Sequence, residues 1–436
     1  MALKEKLLHF IWQYRHFDTA SLATTDGKPL ELIDLGVPNR DQGPDFRDAR
    51  VRIGDTLWIG HVELHVRTSD WARHGHDLDG NYRNVILHVV WEHDERSCGG
   101  LHVLEIGNRV PIHSLRRLAH WMHGLSHVPC ERELLAYRIR PPAPFLERLV
   151  DERLLRKSER ILANLSEEKG HWEEVFWWQV ARNFGYRVNA DAFEEMARSV
   201  KVRVLQQNKH SIHMLEAILM GQCNLLDGRS EEAYCRMLAG EYAFARRKYG
   251  LQPIRIPVLF LRMRPQNFPT VRLAQLAMLV RESNRLFSRF RHAPTLTEAR
   301  RLLTVTGNDF WHYHYAFGKP SQFLPKTVGR MMADNVIVNT VVPFLYAYSV
   351  HNGDGPLRDK AMHWLRETGA ESNRATRVFH QGAGLPENAM ESQGLLELRT
   401  QYCECKRCLE CDVCAILLSR TRDSPTEADS QSRKSS

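Results

Sequence analysis

Apolar residues recur along this chain with two different periods, and the change of period divides it. At the start, Leu7, Leu8, Ile11 and Trp12 fall on one side of a short amphipathic helix predicted over residues 3–15. From about Leu22 to Val110 the pattern shortens to strand-like runs at residues 30–35, 49–53, 57–66, 85–91 and 103–106. Turn signals separate them: Asp26-Gly27, Gly43-Pro44, Gly54-Asp55, Asp79-Gly80 and Gly99-Gly100. Arg140-Pro141-Pro142-Ala143-Pro144 closes this region, because proline fixes φ and restrains the residue before it. Beyond that linker the apolar spacing is helical, at residues 145–165, 172–184, 190–200, 211–225, 230–249, 271–290, 296–304, 327–351 and 355–368. The fold class expected is α+β. A mixed α/β domain occupies 1–140, a helical domain 145–400, a cysteine-rich segment 401–416, and residues 420–436 form a polar tail with too little apolar content to fold.

Composition narrows the class. With 43% hydrophobic and 26% charged residues, the chain has the profile of a globular protein. No apolar stretch approaches the roughly 20 residues of a membrane span, and residues 1–17 hold no continuous apolar core of a secretory signal. A cytoplasmic location without membrane contact is the expectation. A net charge of +8 is compatible with a polyanionic partner, nucleic acid first among them, and equally with a basic enzyme that touches none.

The polar residues that interrupt the β runs carry the candidate chemistry. Asp45 follows the Gly43-Pro44 turn. Glu63 and His65 stand two apart on a predicted strand, so both side chains leave the same face. Asp45, Glu63 and His65 together can hold Mg²⁺ or Mn²⁺ and activate a water for phosphodiester hydrolysis. Around them lie His61, His74, His76 and His88, with Asp70, Asp77 and Asp79. A second reading therefore builds a histidine-rich site for Zn, Fe or Mn, with His74 and His76 supplied by a loop. A third makes the histidines partners in buried hydrogen bonds and Asp45 and Asp70 caps of turns. Burying so many ionisable groups without a partner is costly, which favours a site over the third reading.

Nine cysteines are unevenly placed: Cys403, Cys405, Cys408, Cys411 and Cys414 fall together. In a chain without a secretory signal such a cluster reads as a metal site, for Zn or an iron–sulfur cluster, more readily than as disulfides. Four ligands suffice and five are present, so one is spare, or Cys130 contributes from a distance. Farther into the helical region, Arg264 and Arg272 flank a proline-bounded turn entering a helix. They suggest phosphate binding at a helix N-terminus or, alternatively, a structural turn.

The order helix, strand, acid after a turn, and strand ending in Glu-x-basic resembles the PD-(D/E)xK nuclease core. That resemblance implies Mg²⁺ bound by Asp45 and Glu63, with His65 in the place of the lysine that orients or activates the water. Some members of that superfamily carry a cysteine-ligated iron–sulfur staple with three cysteines near the C-terminus; here the order differs, because Cys130 lies after the core motif. Over nearly its whole length the chain also resembles a bacterial family catalogued as Domain of Unknown Function 2851. The residues that carry this are Gly43-Pro44-Asp45-Phe46, Gly60-His61-Val62-Glu63-Leu64-His65, Asp70-Trp71, His74-Gly75-His76 and 85–90, with Arg264-Pro265, Asn267-Phe268-Pro269, Tyr402-Cys403, Cys408 and Cys411. That family implies no activity. The function expected is a divalent-metal-dependent nuclease or nuclease-like protein acting on DNA more than RNA. The alternatives are a non-catalytic nucleic-acid-binding or scaffold protein, and a histidine-ligated metalloenzyme acting on a small molecule.

Overall fold

Strands β3 (Phe46–Ile53) and β4 (Thr56–Arg67) form an antiparallel hairpin turned at Gly54, whose φ of +58° suits glycine. This is a computed structural model, and it describes residues 5–39, 42–94, 100–226, 231–261, 263–371 and 374–420. β1 (Leu30–Asp34) and the short β2 (Val37–Pro38) pair antiparallel with β3. β5 (Val85–Glu92) pairs parallel with β4, and β6 (Val103–Glu105) parallel with β5, giving the order β1-β3-β4-β5-β6. Helix α1 (Glu5–Gln13) packs against β4, and the indole of its Trp12 donates to Leu35 O at 3.3 Å.

The two halves of β4 differ. Leu57, Trp58 and Ile59 are exposed, whereas residues 62–65 are buried on both faces. In that buried half the period of two sorts the chemistry. Val62 and Leu64 lie in register with Leu87 and Val89, and Glu63 lies in register with His88. A parallel pair cannot be joined by a tight turn. The β4–β5 connection is therefore a crossover, made of the one-turn helix α2 (Asp70–Arg73), a loop and the short 3₁₀ turn Gly80–Tyr82. Gly60 permits the close approach where β5 begins: a Cβ there would sit 2.5 Å from Asn84 O and from Ile86 Cγ2.

The strands expected from the alternation are all present, extended by a few residues at β3. Helices α3 (Ile112–His123) and α4 (Glu131–Ala136), before the proline linker, were not foreseen. The chain forms two compact units. Among the described residues one comprises those within 5–145, 374–385 and 395–420, the other those within 146–371 and 386–394. The cysteine-rich segment thus belongs with the N-terminal sheet rather than standing as a separate module, and the helical unit stops short of residue 400. The tail expected over 420–436 lies, from residue 421 on, outside the described residues.

The second unit is helical around an aromatic core in which Phe176 meets Phe344 and Phe290 at centroid distances of 5.1 and 5.7 Å. Two local departures from the helical expectation occur. The apolar run 327–351 is divided into Arg330–Val336, a π turn over Ile337–Val341 and Val342–Asn352, and a small hairpin pairs His314–Ala316 with Lys319–Pro320. Among the described residues no helix is long and apolar enough to cross a membrane.

Candidate metal centre

The turn before β3 fixes the first acid. Asn39 holds it from both sides: its N–H donates to Asp45 O at 2.7 Å and its side-chain amide to Pro44 O at 2.9 Å. Asp45 and Glu63 are then locked to each other through the backbone. The Asp45 N–H donates to Glu63 Oε2, and the Leu64 N–H donates to Asp45 Oδ2, each at 3.0 Å. An irregularity in the β3–β4 register between Phe46 and Ala49, with Asp48 at φ +60°, lets the first acid reach the second strand.

Three histidines close on this pair. Glu63 Oε1 lies 3.3 Å from His76 Nε2 and 3.6 Å from His65 Nε2. His65 Nε2 is 3.0 Å from His74 Nδ1, and its Nδ1 is 2.9 Å from His88 Nε2. One ligand atom each from His65, His74 and His76 falls within a 4.8 Å sphere of mutual distance. Packing holds the loop that brings them. His76 stacks on Tyr82 at 3.8 Å, and the buried Trp71 meets His76 and His88 with centroids 5.3 and 5.2 Å apart while its indole N–H donates to Asp77 at 2.7 Å. His9 of α1 reaches in as well, with Nε2 3.2 Å from Asp45 Oδ2.

Burial governs the charge state. It raises the Glu63 carboxyl to about 8, helped by the Asp45 charge and opposed by the Asp45 N–H. His65 is pushed down to about 3 by burial and by the neighbouring imidazoles of His88, His74 and His76. Burial and His76 take His88 down to about 4, and burial also lowers His76. The Tyr82 phenol rises to about 12 through burial and the Glu63 and Asp45 charges. At neutral pH His65, His76 and His88 are neutral imidazoles beside a protonated and buried carboxyl, the state in which imidazole nitrogen is a ligand rather than a cation. A divalent ion would reverse the Glu63 penalty by replacing its proton. The donor set therefore fits a cation.

Asp45, Glu63 and His65 are thus brought together as expected, and the same pocket takes His74 and His76, with His88 one hydrogen bond behind. His9 was missed by the sequence reading; its only signal is that Glu5 and His9 stand four apart on α1, on the side from which Glu5 also acts on the Glu63 charge. The arginines do not join this site. Arg264 is exposed at the start of a 3₁₀ turn, and Arg272, only 6% exposed, spends its guanidinium on Gln275 at 2.8 Å, Asn267 at 2.6 Å and the Tyr186 hydroxyl at 3.1 Å. Both lie in the helical unit, and the geometry of Arg272 is that of a structural clamp. Of the clustered cysteines, Cys403, Cys408, Cys411 and Cys414 are buried, while Cys405 is exposed with its Sγ 3.6 Å from Thr400 O.

Fold and site define an α+β protein whose N-terminal sheet carries a histidine–carboxylate cluster, buried at Glu63, His65 and His88 and open to solvent at His74. The chain matches, over residues 5–374, the family described as Protein of unknown function (DUF2851), and it belongs to that family. No curated protein and no solved structure matches it.

Proposed function

We propose that the N-terminal unit is a divalent-metal-dependent phosphodiester hydrolase, a nuclease acting on DNA in a cytoplasmic setting. The observation that carries the reading is the convergence of His65, His74 and His76 with Glu63, beside Asp45. In support, the order of elements is a helix, a strand, an acid after a turn, and a strand ending in Glu-x-His, which is the layout that suggested the PD-(D/E)xK resemblance. Three imidazoles with carboxylates suit Mn, Fe or Zn better than Mg, which prefers oxygen ligands in near-octahedral geometry. An ion held there supplies a bound water of lowered pKa and a Lewis acid for a phosphoryl oxygen.

The chain's own groups divide the remaining work by exposure. Glu63, with a side chain 6% exposed, is a fixed inner ligand, and His65, His74 and His76 present nitrogen to the same point. Asp45, at 23%, stands on the solvent side with His9 against it. That pair is placed to accept and pass on the proton of an attacking water. The test is cleavage of linear and circular DNA, single-stranded DNA and RNA by chelator-treated protein resupplied with Mn²⁺, Zn²⁺ or Mg²⁺, for wild type, Glu63→Gln and His76→Ala. Cleavage that needs added Mn²⁺ or Zn²⁺ and disappears in both folded variants is expected. Cleavage unchanged in the variants would refute the assignment.

A second reading, a metalloenzyme acting on a small molecule, is favoured by the histidine-rich donors and by a histidine where the nuclease pattern has lysine. Stoichiometric metal that depends on His76, with no polymer cleaved, would select it.

A further inference from the structure

The structure assigns a second metal centre to the N-terminal unit: we propose that Cys130 completes a thiolate-ligated site with the buried cysteines of the segment 403–414, and that Cys405 takes no part. Five cysteines carry the argument. Cys130 precedes α4, Cys403 ends the π turn Leu398–Cys403, Cys408 opens the 3₁₀ turn Cys408–Glu410, Cys411 immediately precedes the helix Asp412–Arg420, and Cys414 lies in its first turn. All five are buried free thiols. Every pair among them lies within electrostatic reach, although Cys130 is more than two hundred residues from the rest in sequence.

A single buried cysteine is ordinarily a small hydrophobe. Five converging from four backbone elements are not needed for packing, and the segment that delivers four of them is irregular, with Lys406 at φ +55°. A tie on the protein side also exists, since Lys406 Nζ donates to Ser126 O, close to Cys130. The N–H groups of Val413 and Cys414 point at the Cys411 sulfur, the arrangement that stabilises a thiolate at a helix start. Burial, with Cys408 and Asp412 adding to it, pushes the Cys411 thiol up to about 12, and burial takes the Cys408 thiol to about 11, so the site without metal is a set of protonated thiols. On binding, each ligating sulfur releases its proton to solvent as its bond to the metal forms. A tetrahedral Zn²⁺ and an iron–sulfur cluster share this chemistry.

The test measures zinc, iron and acid-labile sulfide in anaerobically purified protein, with the ultraviolet–visible spectrum, for wild type, Cys130→Ser, Cys405→Ser and Glu63→Gln. Metal or cluster content well below that of wild type in Cys130→Ser, and full retention in Cys405→Ser and Glu63→Gln, are expected. Zinc alone makes it mononuclear; iron with matching sulfide makes it a cluster. Metal undiminished in a folded Cys130→Ser protein, or no metal beyond that lost in Glu63→Gln, overturns the proposal. Should Cys130→Ser not fold, alkylation of the wild type decides. Stripping the metal should expose Cys130 together with Cys408 and Cys411, while the buried Cys223 of the helical unit stays protected. Cys130 labelling that ignores metal removal counts against the site. The proposal does not depend on the histidine centre, whose failure would appear in Glu63→Gln instead.

Discussion

Glu63→Gln should make the metal-free protein more stable while abolishing its metal binding. The glutamine keeps the shape: its oxygen can accept the Asp45 N–H, now 3.0 Å from Oε2, and its amide can face the imidazoles of His76 and His65. The magnitude follows from linkage. Glu63 ionises near 4.5 in an unfolded chain and near 8 in the fold, so the native state holds the proton across that window while the unfolded state sheds it. Stability from this group is complete below pH 4.5 and is lost as the pH rises toward 8. At about pH 7 the loss is about 3 kcal/mol, taking about 1.4 kcal/mol per pH unit, and the glutamine does not incur it. Urea unfolding in chelator, repeated at several pH values, is the assay. The variant should match wild type near pH 4.5 and lead it increasingly up to about pH 8. Mn²⁺ or Zn²⁺ at about 1,000 times its dissociation constant should then invert the order at about pH 7, since it adds about 4.1 kcal/mol to the wild type alone. A variant less stable than wild type in chelator, or a difference that does not change with pH, would refute the reasoning.

Two further outcomes follow from the same geometry. Metal uptake at this centre should release the Glu63 proton at any pH below about 8, so that affinity rises with pH by up to about tenfold per unit and then levels. Calorimetry in two buffers of different ionisation heat measures that proton, and uptake without proton release would count against it. Gly60→Val should lower stability by about 1–3 kcal/mol, because its Cβ meets Asn84 O and Ile86 Cγ2 at 2.5 Å where β4 and β5 join. An unchanged urea midpoint would show that the strands yield there.

What was legible in the sequence was what repeats with a period or follows a turn. The alternation of β4 put Glu63 and His65 on one face, and Gly43-Pro44 marked Asp45 as an acid that follows a turn. His74 and His76 were visible only as residue types, because their placement depends on the four-residue α2 and on the stack of His76 upon Tyr82, neither of which has a period. His9 was hidden for another reason: a polar position on an amphipathic helix reads as solvated until the partner sheet is known. Arg272 shows the opposite failure. Its place just inside a proline-started helix suggested an anion site, yet Tyr186, far away in sequence, and Asn267 already occupy the guanidinium. Cys130 likewise acquires its neighbours only when the chain returns after residue 395.

The hydrogen-bond chain through His65 separates ligands from supports. A ligating imidazole presents one nitrogen to the ion and gives the other, as N–H, to an acceptor that fixes its tautomer and orientation. His65 has the geometry for this: Nδ1 lies 2.9 Å from His88 Nε2, and Nε2 faces His74 and Glu63. His88 is only 1% exposed and held low by burial, so it stays neutral and can accept from His65 Nδ1–H at physiological pH. Its position in register with Glu63 on the adjoining parallel strand keeps that acceptor in place. The proposed centre therefore draws its ligands from one strand and the crossover that follows it, and its orienting group from the next strand. That economy explains how a crossover built of one helical turn and a loop can set two imidazoles, those of His74 and His76, beside His65 of the strand itself.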